Sequence, residues 1–430
     1  MINVAQNAKK SSYILASLSE EIKNKALFAV AENIENNKNL ILEENNKDLI
    51  EAQKLLDKGE ITKAIYNRLK LNEDKINVII QGIHDVIKLE DPVNKILSVT
   101  ELDKGFELNK VSCPIGVIGV IFESRPDVVP QIASLSIKSA NAVILKGGRE
   151  ADYSNEILVK IINEALKTVK SFPENAVSLI KTREDVKETL KMDQYIDLII
   201  PRGSNSLVKY IQANTKIPVL GHTEGICHIY ADEFADIEKA IKVSIDSKIQ
   251  YPAACNAVET LLVHKNISEK LLPALINRFK EEDVLVKGDE KTLKICPEIE
   301  KATEEDWRTE YTDKIISIKV VESVNEAINH INHYGSRHTD CIITENIENR
   351  DLFMNLIDSA GVYCNVSTRF ADGFRYGFGA EVGISANKTH ARGPVGLEGL
   401  TIYKYKLYGN AQTVAEYSGN NAKPFTHRKL

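Results

Sequence analysis

A chain of 430 residues exceeds what one compact core accommodates, so two or three domains are expected. Lysines and acids alternate along it to a formal net charge of −6, without the clustered Lys and Arg that a phosphate backbone requires, and nucleic acid is excluded as an expected partner. The longest nearly unbroken apolar stretch, 111–122, is interrupted by Pro114 and two glycines. It falls far short of the roughly 20 residues that cross a bilayer, so no membrane association is expected. Residues 1–7 are polar and lack the regions of a secretory peptide. Six cysteines, at 113, 227, 255, 296, 341 and 364, form no C-x-x-C pair. Neither a disulfide framework nor a zinc site follows, and a reducing, cytoplasmic compartment is the expectation.

In chain order, the first ninety residues read as helices. Ile14, Leu15, Leu18, Ile22, Leu27, Val30 and Ile34 recur at helical spacing among Lys, Glu and Asn. Ile76, Ile79, Ile80, Ile83, Ile87 and Leu89 repeat the pattern until Asp91-Pro92 closes it, because the residue before proline avoids helical dihedrals. Segments 96–99 and 106–111 read as a hairpin around Lys104-Gly105. Short apolar strands at 117–122, 142–145, 177–180, 197–200 and 217–220 then alternate with helices at 127–140, 151–170, 183–192 and 204–213. Strands that are apolar throughout imply burial on both faces, as in a parallel sheet flanked by helices. After a helix at 236–249 the alternation resumes, with strands at 258–263, 284–286, 315–321, 341–344 and 361–365 and helices at 268–281, 323–333 and 346–357. A boundary near Gln250-Tyr251-Pro252 divides a first domain, 1–250, from a second, 251–399. In the remaining 400–430, residues 400–407 read as a β-branched and aromatic strand, and the last dozen as a loose polar tail.

Four segments carry candidate chemistry. Pro201-Arg202-Gly203-Ser204-Asn205-Ser206 follows a strand and opens a helix, whose free N–H groups and partial positive charge suit a phosphate. The full G-x-G-x-x-G fingerprint is absent, and an ordinary glycine turn with a serine cap has the same pattern. Leu145-Lys146-Gly147-Gly148-Arg149-Glu150 lies at another strand's carboxyl end, where ligands of open α/β sheets sit. Lys146 and Arg149 there would hold an adenosine ribose and its 2′-phosphate, favouring NADP over NAD; a basic loop without a ligand is the alternative. Both segments in one sheet favour a nucleotide-binding first domain. Gln250-Tyr251-Pro252-Ala253-Ala254-Cys255-Asn256 lies at the domain boundary, where a cleft is expected, and its small residues leave backbone open to a substrate. By location Cys255 is therefore the candidate nucleophile, provided its thiol ionises; a structural cysteine is the alternative. Cys113, Cys227, Cys341 and Cys364 sit in apolar runs and read as inert core thiols. Residues 361–399 run nearly forty positions without a clear helix, and the arginines among their glycines, Arg369 included, suit carboxylate or phosphate recognition. His330, His333 and His338 have no placed carboxylate partner, so no metal is expected.

Pro114-Ile115-Gly116-Val117-Ile118-Gly119-Val120-Ile121-Phe122-Glu123-Ser124-Arg125-Pro126 closely resembles the signature of the gamma-glutamyl phosphate reductase family, also called glutamate-5-semialdehyde dehydrogenases, within the aldehyde dehydrogenase superfamily. The resemblance extends through Pro201-Arg202-Gly203-Ser204-Asn205, Gly221-His222-Thr223-Glu224-Gly225-Ile226-Cys227-His228, the stretch 250–256 and the region 374–396, so it spans essentially the whole chain. With no kinase-like segment ahead of it, the free-standing bacterial type is the expectation. The resemblance implies an α/β, aldehyde dehydrogenase-like fold: a Rossmann-like cofactor domain, an α/β catalytic domain and a small β oligomerisation element that would include 96–112 and 400–407. It implies reduction of L-glutamyl 5-phosphate to L-glutamate 5-semialdehyde by NADPH with release of phosphate, the second step of proline biosynthesis. A homo-oligomer is implied, with glutamate 5-kinase as a candidate partner.

Residue by residue, the resemblance implies Cys255 as nucleophile, Lys146, Gly203 and Ser204 in the cofactor site, and Glu310, within Arg308-Thr309-Glu310-Tyr311, against the nicotinamide ribose. Two departures from the wider superfamily matter. No Glu stands at Leu220-Gly221-His222, where hydrolytic members carry a base, which protects a thioester from water. Ser124 occupies the place of their oxyanion Asn, leaving the Cys255 N–H and a nearby side chain as candidate donors. Ser124, Arg125, Asn256 and Arg369 are candidate substrate contacts, and His222 a candidate proton donor. The alternatives are a CoA-acylating aldehyde dehydrogenase and a non-catalytic protein on a degenerate dehydrogenase fold.

Overall fold

The side chains of Ser19, Thr62 and Asn72 accept the N–H groups of Ile22, Ile65 and Lys75, and so open the helices Glu20–Asn36, Lys63–Leu69 and Glu73–Lys88. Capping thereby cuts the amino-terminal helical pattern into separate pieces, with Ile2–Leu15 and Lys38–Asp57 as the others. The computed structural model describes residues 1–221 and 224–430. It divides into two units, Met1–Leu220 with Phe378–Val382 and Gly396–Leu430, and Gly221–Gly377 with Gly383–Val395.

The first unit contains a four-stranded parallel sheet in the order Val177–Leu179, Ala142–Lys146, Val117–Phe122, Leu198–Arg202. Three of its strands are almost wholly buried, as their unbroken apolar runs require, and the edge strand Val177–Leu179 is half-buried. The predicted strand at 217–220 is reduced to a single bridge, Ile199 to Val219. Gly116 shows why the central strand starts where it does. Its φ is +131°, and a Cβ there would lie 2.2 Å from the Asp197 carboxylate, which accepts the Val117 N–H at 2.8 Å.

A second, antiparallel sheet of the same unit holds the hairpin Ile96–Asp103 and Phe106–Pro114. The strand Thr401–Tyr408 pairs along it from Pro114 to Glu107. The tail departs from the sequence expectation. Arg428 and Lys429 pair with Glu101 and Thr100, the Thr426 N–H reaches Leu102 O at 2.9 Å and the Leu430 N–H reaches Val99 O at 3.1 Å. Backbone pairing along a solvent-facing hairpin needs no apolar side chains, so composition gave no sign of it.

The second unit is built on a seven-stranded parallel sheet, ordered Glu300–Lys301, Leu285–Gly288, Ile315–Val321, Val258–His264, Cys227–Ala231, Thr339–Ile343, Gly361–Cys364. The unit boundary therefore falls at Leu220, not near 250. Cys227–Ala231, which the sequence reading passed over, pairs with both Val258–His264 and Thr339–Ile343, and it carries the helix Ile237–Ile249 into the same unit. The long segment 361–399 contains a one-turn helix, Thr368–Phe370, and the two-residue strands Ile384–Ser385 and Gly393–Pro394. Among the described residues no helix is long and apolar enough to cross a membrane.

Candidate active site

In the first unit the register fixes one sheet edge. Ile121 pairs with Lys146 and Phe122 with Arg202, so three strands end together and the turns that follow them emerge side by side. Glu123 occupies the centre of this edge. Its carboxylate accepts the Ser204 N–H at 2.8 Å, and the Ser204 hydroxyl lies 3.4 Å away. Ser204 opens the helix Asn205–Asn214, and its own side chain caps none of the helix's N–H groups. The helix start thus already receives a carboxylate, as its partial positive charge favours. A Cβ on Gly203 would stand 2.4 Å from the same carboxylate, which would have to shift to admit a side chain. Ser124, at φ +47°, is buried and gives both its N–H (2.8 Å) and its hydroxyl (2.6 Å) to Glu150.

Lys146 is buried and donates to the Gly147 carbonyl; burial pushes its ammonium down, against Asp152 and Glu150. Arg149 is exposed and lines a cavity of about 380 Å³ with Asp48, Glu51, Glu150, Asp152 and Glu156. Arg125 is also exposed and pairs with Asp127 at 2.6 Å. Among the described residues the buried Asn155 amide has no hydrogen-bond partner, and a Cβ on Gly147 would lie 2.1 Å from it. A dinucleotide fits this edge. Gly147 and Gly203 add no side chain of their own, although Asn155 and Glu123 fill the space beside them, Ser204 presents a helix start, and Lys146 supplies a cation.

In the second unit Cys255 lies on the turn between Ile237–Ile249 and Val258–His264. Two local bonds shape this turn, Ala254 N–H to Tyr251 O at 3.1 Å and Ala257 N–H to Ala254 O at 2.8 Å. Cys255 is half-buried. Its backbone is held from behind, where the Cys227 thiol donates to the Cys255 carbonyl at 3.3 Å. Gly225 packs so tightly that a Cβ would meet that carbonyl oxygen at 2.2 Å and the Cys255 Cα at 2.6 Å. Asn256 is buried and donates to Ala371 O at 2.7 Å. Arg369 is buried too, gives its Nε–H to Gln250 Oε1 at 2.8 Å, and sits 5.9 Å from the Tyr251 ring centre. Burial, then the neighbouring Arg375, lowers its affinity for the proton. Three predicted residues, Cys255, Asn256 and Arg369, are therefore brought to one loop. Burial raises the thiols of Cys113, Cys227, Cys296, Cys341 and Cys364, the Cys341 thiol to about 12, which keeps them protonated and unreactive.

Beneath this loop Lys248 and Glu259 form an ion pair of 2.6 Å, with both side chains fully buried. Burial pushes the Glu259 carboxyl up to about 7 against the pull of Lys248, and the charge of Glu310 adds to the rise. Glu310 is half-buried in the same unit. His222 lies outside the described residues. The sequence reading missed Glu123, Glu150, Gly225, Lys248 and Glu259. Glu123 and Gly225 stand inside strings already quoted for the resemblance, whereas nothing in sequence spacing marks the Lys248–Glu259 pair.

Residues 2–314 match the model of the aldehyde dehydrogenase family. The gamma-glutamyl phosphate reductase of Brachyspira hyodysenteriae is 58% identical over 430 residues, 100% of this chain and 99% of that protein. The crystal structure of gamma-glutamyl phosphate reductase from Thermotoga maritima superposes with a TM-score of 0.93 at 41% identity, covering 96% of this chain and 99% of that one. An acetylating aldehyde dehydrogenase from Geobacillus thermoglucosidasius shares the fold at 17% identity, with a TM-score of 0.65 over 96% of each chain. With its two parallel sheets and its half-buried cysteine on a clamped turn, the chain belongs to the aldehyde dehydrogenase family and, within it, to the gamma-glutamyl phosphate reductases.

Proposed function

We propose that the chain reduces L-glutamyl 5-phosphate to L-glutamate 5-semialdehyde with NADPH, releasing phosphate, in the cytoplasm, as the second step of proline biosynthesis. The observation that carries this reading is Cys255, half-buried on a turn whose backbone is fixed by Gly225, Cys227 and Asn256. Its sulfur attacks the γ-acyl carbon, the carbon–oxygen bond to phosphate breaks, and phosphate leaves with the electron pair, giving a thioester on Cys255. NADPH, when bound, supplies the hydride that reduces the thioester carbonyl. Carbon–sulfur cleavage then frees the aldehyde and restores the thiol. The Cys255 N–H is the oxyanion donor on this reading, because the Ser124 hydroxyl is given to Glu150 and the Asn256 amide to Ala371. Arg369 keeps guanidinium N–H groups beyond its bond to Gln250 for a carboxylate or phosphate of the substrate; Arg125, tied to Asp127, is the weaker candidate.

For the cofactor, Lys146, Gly203 and Ser204 would hold phosphate and ribose, Arg149 the 2′-phosphate that distinguishes NADP, and Glu310 the nicotinamide ribose. The five carboxylates around Arg149 oppose its part in this assignment. A homo-oligomer is supported by the outer strand Thr401–Tyr408, an unshared sheet edge bearing exposed Ile402, Tyr403, Tyr405, Leu407 and Tyr408. Acyl phosphates hydrolyse readily, so direct hand-over from glutamate 5-kinase belongs to the same reading. The test is phosphate-dependent NADPH formation from the semialdehyde. Cys255→Ala is expected to lower kcat by ~10³-fold or more, and coenzyme A in place of phosphate to give no NADPH. Near-parental turnover in Cys255→Ala overturns the covalent scheme.

A further inference from the structure

We propose that the buried Lys248–Glu259 pair is a positioning device for Cys255, holding the two ends of the nucleophile's turn at the spacing that turnover requires. Lys248 is the last residue but one of the helix that leads into the turn, and Glu259 is the second residue of the strand that leaves it. The two are eleven residues apart in sequence, and their 2.6 Å contact closes the segment on which Cys255 stands.

The setting separates this pair from an ordinary stabilising contact. Glu259 Oε2 takes the ammonium at 2.6 Å, and the Thr312 backbone N–H also favours the charged carboxylate. The strand around Glu259 is buried throughout, and Val258 and Leu261 belong to the apolar core. Apolar side chains of similar volume often replace a buried charged pair without loss of stability, so the pair is assigned to fixing the geometry of the turn. The other ties on the turn run to Cys227, through a thiol–carbonyl contact, and to the one-turn helix Thr368–Phe370 and its cap, through the Gln250–Arg369 bond and the Asn256 amide. The ion pair links the flanking helix and strand directly to each other. Neither side chain is exposed, so neither touches substrate, and the effect on catalysis passes through the backbone of the turn.

The inference rests on Cys255 being the nucleophile, and Cys255→Ala is assayed in parallel. In the full-length protein, Lys248→Met with Glu259→Met is compared with the charge-swapped Lys248→Glu with Glu259→Lys. The expected result for the apolar pair is a thermal midpoint near the parent's, KM for semialdehyde and phosphate within twofold, kcat at least tenfold lower, and at least a threefold change in the rate of Cys255 alkylation by iodoacetamide. The swapped pair is expected to recover at least half of the parental kcat. A folded apolar pair with parental kcat overturns the proposal, as does a swapped pair that binds substrate normally and recovers nothing. Should either double variant fail to fold, Glu259→Gln, close in shape to the parent, is read by the same kcat and alkylation measurements, and parental values there overturn the proposal equally. Retained turnover in Cys255→Ala defeats the underlying reading instead, and the two failures are told apart by that control.

Discussion

Gly225 is the residue whose role is clearest once contacts are known and least visible before. A methyl group there has no room beside the Cys255 backbone. Gly225→Ala is expected to displace the nucleophile, lowering kcat by ~10²-fold, since misplacement of about 1 Å costs that much. Overpacking is expected to cost about 1–3 kcal/mol of stability. Steady-state kinetics with thermal melts check both, and an unchanged kcat contradicts the contact. Glu123 gives a prediction of opposite sign. Its carboxylate sits on the helix start assigned to a phosphate of the cofactor. Glu123→Gln is expected to tighten NADPH binding ~3–10-fold, the worth of one charge at a helix terminus, by fluorescence titration; weaker binding contradicts that assignment. Cys255 was singled out for the small residues around it and for a boundary expected near 250, whereas the turn that carries it lies inside the second unit. Gly225 and Glu123 were quoted without a role, because what they touch comes from elsewhere in the chain.

At the scale of elements, long apolar strands and capped helices were readable. The strand Ile315–Val321 and the hairpin turn at Lys104-Gly105 stand where periodicity and turn chemistry put them. Cys227–Ala231 was not read, since its run carries His228 and Tyr230, whose polar atoms are buried against Asp340 and Asp232. Missing that strand displaced the predicted boundary by thirty residues. The Lys248–Glu259 pair, joining a helix to a strand, also carries a pH signature. Burial holds the Glu259 proton up to about 7, against an ordinary value near 4.5. Between those values the folded state binds more protons than the unfolded chain. The stability this contributes is complete below about 4.5 and is lost as pH rises through about 7. The thermal midpoint of the parent relative to Glu259→Gln is therefore expected to fall from pH 5 to pH 8; a constant or rising difference contradicts the burial argument.

For the whole molecule, the sheet of Ile96–Asp103 and its partners ends in an outer strand with aromatic side chains at 403, 405 and 408 exposed. Such an edge is a template for another chain. Sedimentation is expected to show an assembly larger than a monomer, and Tyr405→Asp with Leu407→Asp to shift it towards monomer. A parent that is monomeric at micromolar concentration contradicts that reading. The central claim is the covalent bond at Cys255. Mixing the protein with semialdehyde and NADP⁺ in the absence of phosphate, quenching in acid and mapping peptides by mass tests it most directly. The account predicts a burst of NADPH and a glutamyl adduct on the peptide containing Cys255; an adduct on a different residue, or a full burst with no adduct, would contradict it.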